Sequence, residues 1–199
     1  MVGRIALAAV LLIPRLACPA DIHVEVVRHG ASFEVRAKAE LEADVAQVWD
    51  VLTDYERLPE FIPDLRSSRV LARSSRSAVV EQEGRAQLLF FIFPISVRYG
   101  IEEFPCKSII ARATSGNLKE LHGTYLLDAH DHRVTLTYNG WLTPAFDFPP
   151  LIGTMLLRNE VEKQFGAMVD EILRRKASPP RPSNAEPFPR GQCGTLPPY

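Results

Sequence analysis

Between Ala43 and Leu65 the chain reads A-D-V-A-Q-V-W-D-V-L-T-D-Y-E-R-L-P-E-F-I-P-D-L, two short helices joined at Thr53-Asp54. Each has its own start signal. Asp44 is placed to N-cap the first, and Gln47, three residues on, completes a capping-box pattern. Val45, Val48, Trp49 and Leu52 then share one face at spacings of three and four. Asp54 is placed to cap the second helix, in which Leu58, Phe61 and Ile62 point one way, and Pro63 ends it. Trp49, central in the first stripe, is expected to be a structural anchor. Strand-like sequence flanks the pair on both sides, so the helices interrupt a sheet.

The strand signals are period-two. Phe33 to Leu41 alternates apolar and charged residues without a break, which marks a half-buried strand. Val24-Glu25-Val26 ahead of His29-Gly30 suggests an earlier strand and a tight turn. After the helix pair come strand-like runs at Ser67–Ala72 and Ala78–Phe91, with a polar turn at Ser74–Ser77. Phe93-Pro94 is expected to interrupt pairing, because proline has no amide hydrogen for a ladder. Ile95, Val97, Tyr99 and Ile101 then alternate with polar residues. Ser108–Thr114 follows, with a turn at Ser115-Gly116-Asn117. Leu121, Gly123, Tyr125 and Leu127 form one face of the next strand, and Val134, Leu136, Tyr138 and Gly140 one face of the last. Short turns between regularly spaced strands indicate an antiparallel meander, and the absence of strand–helix–strand alternation disfavours a parallel sheet.

Leu151 to Lys176 carries Leu157, Val161, Phe165, Met168, Val169 and Ile172 at helical spacing and ends in three cations, which suit a helix C-terminus. Pro149-Pro150 stands just before it, where proline is tolerated. A helix of about 25 residues is about 38 Å long, enough to cross the concave face of a curved sheet. The class is α+β.

In its order of elements the chain resembles the START-like, helix-grip (SRPBCC) superfamily, in the branch described as polyketide cyclase/dehydrase and lipid transport, and it is similar to coenzyme-Q-binding START-like proteins. The resemblance spans about residues 33–175 and is specific at A-D-V-A-Q-V-W-D-V-L-T-D and Y-E-R-L-P-E-F-I-P. It implies a curved antiparallel sheet of about six to seven strands, two short helices, and a long C-terminal helix that covers a cavity for an apolar molecule. It also implies that Trp49 packs its helix against the sheet. Coenzyme-Q-binding relatives often follow the F-x-P step with an aromatic and a cysteine. Here Phe61-Ile62-Pro63 leads to Asp64-Leu65, which argues against a quinone chaperone and further against a ribosome-associated toxin.

The ends of the chain read differently. In residues 1–20, Arg4 and the amino terminus precede an apolar run, Ile5–Ile13, and small residues near Cys18-Pro19-Ala20, the pattern of a secretory signal cleaved before Asp21. Nine apolar residues make a helix of about 14 Å, short of the roughly 30 Å hydrocarbon core. Release by cleavage, giving a periplasmic or secreted protein, is the expected outcome. Lipid anchoring at Cys18 and a retained N-terminus are the alternatives. Removing Arg4 and Arg15 lowers Lys+Arg from 23 to 21 against 24 acids, a charge of −3 that argues against a nucleic-acid partner. Residues 177–199 hold seven prolines and few aliphatic side chains, and are expected to form a disordered tail. One domain over 21–176 lies between. Cys106 and Cys193 are expected to remain separate thiols, with pairing as the alternative.

Candidate chemistry is sparse. Tyr99, Tyr125 and Tyr138 fall on apolar strand faces and would present hydroxyls to a ligand if that face is concave; the alternative is three core tyrosines. Met155, Asn159 and Phe165, with Leu156, are candidates for the helix side of the same site, plain core packing being the alternative. His130-Asp131-His132 with Asp128 has the look of a metal cluster, but a turn is where such residues are ordinarily solvated. No metal ligand set, phosphate-binding glycine loop or G-x-S-x-G nucleophile is expected, and no cofactor is assigned. Arg85 and Arg98 read as surface charge. The function these features support is binding, sequestration or transport of a hydrophobic small molecule, lipid-, quinone- or polyketide-like, with which transient membrane contact is compatible. A cyclase or dehydratase is the first alternative, although only tyrosines and Asn159 offer acid–base groups. An interaction module without ligand is the second.

Overall fold

A computed structural model describes residues 21–88, 91–145 and 152–176, together with Cys193. The proposed signal (1–20) and the rest of the tail lie outside the described residues. Eight strands form one antiparallel sheet: β1 (Ile22–His29), β2 (Ser32–Leu41), β3 (Leu65–Arg73), β4 (Ser77–Leu88), β5 (Phe91–Phe104), β6 (Ser108–Gly116), β7 (Glu120–His130) and β8 (Arg133–Thr143). Their spatial order is β1-β2-β8-β7-β6-β5-β4-β3. The single non-local pairing is β2 with β8, from Phe33↔Leu142 to Leu41↔Val134. The chain leaves β2 through α1 (Val45–Leu52) and a 3₁₀ segment (Tyr55–Glu60), and re-enters the sheet at β3 on the far edge. Eight strands is slightly more than the six to seven expected, because the short Val24–Val26 signal is a full strand paired with β2 from Ile22↔Ala39 to His29↔Ser32.

The helix pair keeps its positions but uses two of its polar residues differently. Asp44 caps α1, accepting from the Ala46 amide at 2.8 Å. Gln47 does not close a capping box; its Nε2 donates to the Ile172 carbonyl at 2.5 Å, tying α1 to α2 (Ile152–Lys176). The second segment is 3₁₀ rather than α, with Pro59 inside it, and Asp54 gives it no side-chain cap. The Asp54 carboxylate instead accepts from Arg175 at 2.8 Å and Arg57 at 3.3 Å. Glu171 accepts from both Arg174 and Arg175, and the Arg175 guanidinium lies 5.7 Å from the Phe61 ring centre. The cations that favour a helix C-terminus thus also lock α2 onto the helix pair.

Proline does not break the sheet where expected. β4 runs to Leu88, and β5 begins at Phe91 and carries Pro94 inside it, opposite Arg85. Pairing with β6 starts only at Val97↔Gly116, so Pro94 lies on a local edge where no donor is needed. Asn117 fills the gap: its Nδ2 donates to the Pro94 carbonyl at 2.6 Å and its Oδ1 accepts from the Ser96 amide at 3.0 Å.

The core has two sources. Trp49, Val48, Val51 and Leu52 of α1 are buried, as are Phe165, Met168, Val169 and Ile172 of α2. These meet the inward residues of β1, β2 and β8, chiefly Val24, Ala37, Ala39, Leu41, Val134 and Leu136. One buried acid is part of the frame: Glu103, 1% exposed, accepts from the Tyr55 hydroxyl at 2.9 Å and from Arg73 at 3.2 Å. Cys106 and Cys193 form a disulfide, with Cα atoms 5.6 Å apart, inside the usual range and contrary to the expectation of separate thiols. Spacing in sequence carries no signal for such a pair, because the two cysteines are 87 residues apart.

Candidate functional site

The inner face of the sheet carries rows of opposed large and small side chains. In one row Gly140 pairs with Gly123, which pairs with Ala111, which pairs with Ile101. In the next, Ala37 pairs with Tyr138, Tyr138 with Tyr125, and Tyr125 with Ile109. A single helix laid across this face leaves space beneath its N-terminal half, where Gly123 and Ala111 of the first row stand on the wall. A cavity of about 410 Å³ results, within the range typical of small-molecule sites. Its walls are mainly aliphatic and aromatic, from β4 to β8 on one side and α2 on the other. A second depression of similar size, about 420 Å³, lies on the surface beside the start of α1 and the β7–β8 turn. It is lined largely by polar residues, and the apolar cavity beneath α2 is the better ligand site on chemical grounds.

Tyr99, Tyr125 and Tyr138 all line the cavity, as does Phe165. The Tyr125 and Tyr138 rings pack with centroids 4.8 Å apart. Tyr138 lies over the glycine pair: a Cβ on Gly140 would stand 2.5 Å from its Oη, and one on Gly123 2.6 Å. Both glycines are therefore needed for the ring to sit where it does. The three tyrosines are surrounded by protein yet only half-buried by solvent accessibility, because their accessible surface faces the cavity. Burial pushes all three phenols up, Tyr138 to about 12 and the other two beyond it, with neighbouring tyrosines adding to the effect for Tyr99 and Tyr125. They are neutral hydroxyls at physiological pH, able to donate and accept. None of the three makes a hydrogen bond to another described residue.

Met155 and Asn159 do not line the cavity. Met155 is 57% exposed, and Asn159 is exposed as well. The reason is helical phase. Leu157, Glu160, Val161, Gln164, Phe165 and Met168 define the inward face, and at 3.6 residues per turn positions 155 and 159 fall on the opposite side. The expected spacing of the helix was right, but which polar residues share its inward arc depends on where the sheet meets it.

One rim of the cavity is polar. Asp64 has its backbone in the left-handed region (φ 63°), and its carbonyl would stand 2.7 Å from a Cβ on Gly84, so glycine is needed there. The Arg85 amide donates to that carbonyl at 3.0 Å, and Arg85 Nε donates to Asp64 Oδ1 at 2.7 Å. Lys163 of α2 donates to Oδ2. Hydrogen bonds from Lys163 and then Arg85 hold the Asp64 carboxyl below its ordinary range. This cluster joins the loop after the 3₁₀ segment, β4 and α2 at the cavity edge. Arg85, read from the sequence as surface charge, thus lines the cavity, whereas Arg98 pairs on the outer surface with Glu81 at 2.8 Å. Glu160, also on the wall, was not singled out in the sequence, although it shares the helical phase of Leu157, Val161 and Gln164. His130 pairs with Asp128 at 2.9 Å at the exposed end of β7, and among the described residues no three His, Cys, Asp or Glu side chains converge to hold a metal.

No curated protein matches the sequence significantly. Solved structures match the fold. An aromatase/cyclase (Zhui) from Streptomyces sp. R1128 aligns with a TM-score of 0.60 at 18% identity, over 73% of this chain and 96% of its own. A STAR-related lipid transfer protein fragment from Xanthomonas axonopodis aligns with a TM-score of 0.61 at 16% identity, over 79% and 95%. A START superfamily protein from Mycobacterium smegmatis gives 0.60 at 13% identity, over 71% and 98%. At these identities the likeness is one of fold. Residues 41–169, most of the folded region, match a family as a whole, and the chain belongs to the polyketide cyclase/dehydrase and lipid transport family.

Proposed function

We propose that this protein binds and carries a hydrophobic small molecule in the cavity beneath α2. The observation that carries this reading is an apolar cavity of about 410 Å³ whose wall holds three neutral tyrosine hydroxyls with no hydrogen-bond partner among the described residues. Apolar walls supply affinity through area removed from water, and a few hydroxyls orient what is bound. The family description, which includes lipid transport, supports it. Native and lipid mass spectrometry of the purified protein tests it: a co-purifying apolar molecule is expected. Consistently empty protein that takes up no fluorescent fatty acid, sterol or quinone would count decisively against it.

A second reading, cyclisation or dehydration of an aromatic or ketide substrate, is favoured by the aromatase/cyclase fold neighbour and by the same hydroxyls. Substituting Tyr99, Tyr125 and Tyr138 by Phe separates the two. A carrier keeps most of its binding, whereas acid–base catalysis by one hydroxyl falls by roughly 10²-fold or more. The reading places the carrier in the periplasm or outside the cell, on the strength of residues 1–20. The N-terminal mass of the exported protein checks this, with Asp21 expected as the first residue.

A further inference from the structure

Two carboxylates line the cavity, and they differ in how they are used. Both Asp64 oxygens are occupied, Oδ1 by Arg85 and Oδ2 by Lys163. Glu160 makes no side-chain hydrogen bond to any described residue. Lys163 Nζ stands 4.0 Å from its Oε1, beyond hydrogen-bond reach, and its Oε2 is buried from solvent without a partner. A carboxylate oxygen left in that state is unfavourable, and an ionised carboxylate can only accept. Its terminal torsion is soft, so the group can turn toward a donor in the cavity at little cost. Burial pushes the Glu160 carboxyl up, opposed by Lys163 and reinforced by Asp64.

We propose that Glu160 is the polar anchor of the cavity, and that the bound molecule is an amphiphile whose apolar body lies beneath α2 and whose alcohol or phenol hydroxyl donates to the Glu160 carboxylate. This rests on the carrier reading and narrows its ligand class. The groups facing Glu160 favour a neutral donor over an anion. A ligand carboxylate would stand beside both Glu160 and Asp64, and the cations that could offset it, Lys163 and Arg85, are already engaged by Asp64. A purely apolar ligand would leave the Glu160 carboxylate without a hydrogen-bond donor, with only the Lys163 ammonium 4.0 Å away.

Two probes of nearly equal shape, 2-naphthol and 2-methylnaphthalene, test the assignment by titration calorimetry on the purified protein. The ratio of their affinities is expected to shift about tenfold against 2-naphthol in Glu160→Leu, the size of a hydrogen bond to a charged group. In Glu160→Gln, which keeps a neutral acceptor, the shift is expected to be about threefold. Binding of 2-methylnaphthalene should be unchanged or tighter in both. A ratio within twofold of wild type in Glu160→Leu overturns the anchor while leaving the carrier reading intact. If Glu160→Leu binds neither probe, the same twofold limit in Glu160→Gln decides the question. Failure of wild type to bind either probe, or tighter binding of 2-naphthoate than of 2-naphthol, overturns the anchor, and the carrier reading stands or falls separately on co-purification and uptake.

Discussion

Replacing Trp49 by alanine separates the frame of this protein from its ligand site. Trp49 is 1% exposed in the middle of α1, among Val48, Val51 and Leu52, and does not line the cavity. An aromatic side chain of this size buries about 150–250 Å². At about 25 cal/mol per Å² that is roughly 4–6 kcal/mol of apolar burial. Measured truncations of buried Phe or Trp to Ala cost about 3–5 kcal/mol, because the surroundings relax only in part. For a domain of this size, each kcal/mol lowers the melting temperature by roughly 2–4 °C, so a fall of about 6–20 °C is expected. Circular dichroism melts of wild type and Trp49→Ala, with probe binding measured well below both transitions, provide the assay. The variant should be much less stable yet bind with similar affinity per folded molecule. A variant that melts within a degree or two of wild type but no longer takes up ligand would refute this reasoning and move the cavity mouth to the helix pair.

Three further outcomes follow from single contacts. Gly140→Ala places a Cβ 2.5 Å from the Tyr138 hydroxyl oxygen, so the ring must leave its slot for the cavity. A loss of about 1–3 kcal/mol is expected from overpacking, with weaker probe binding, checked by denaturant titration and calorimetry. Glu171, hydrogen-bonded by Arg174 and Arg175, has its carboxyl drawn down to about 2 from 4.5. Because the folded-state value is the lower one, its contribution is present above about pH 4.5 and is lost as pH falls toward 2; Glu171→Gln should flatten the acid limb of a stability-versus-pH curve. The Cys106–Cys193 bond should appear as one linked peptide pair in a non-reduced digest and as two separate peptides after reduction.

Much of the fold was legible because its signals are local. Period-two alternation in Phe33–Leu41 and Leu121–Leu127, the stripe Val45-Val48-Trp49-Leu52 and the apolar spacing of α2 each follow from which side of an element must be dry. The errors fell where one residue had two available uses. Asp54 and Gln47 carry helix-start chemistry, yet their side chains went to Arg175 and to the Ile172 carbonyl, partners more than a hundred residues away. Pro94 is incompatible with a ladder on both sides, but not with a strand that is locally an edge.

The sequence by itself therefore determined the elements, their order and the apolar face each presents, since these depend on residue type and spacing within a few turns. It also placed three tyrosines on one face of the sheet. Only the tertiary structure decided that Gly140, Gly123 and Ala111 stand side by side across three strands, because strand register is set by pairing and not by any one strand. Gly140 and Gly123 make room for the Tyr138 ring, which stands on the cavity wall. The same packing decided the rotation of α2 about its axis, which turned Glu160 inward and Met155 and Asn159 out, since a helix's apolar arc is wide and its exact facing is set by the surface it lands on.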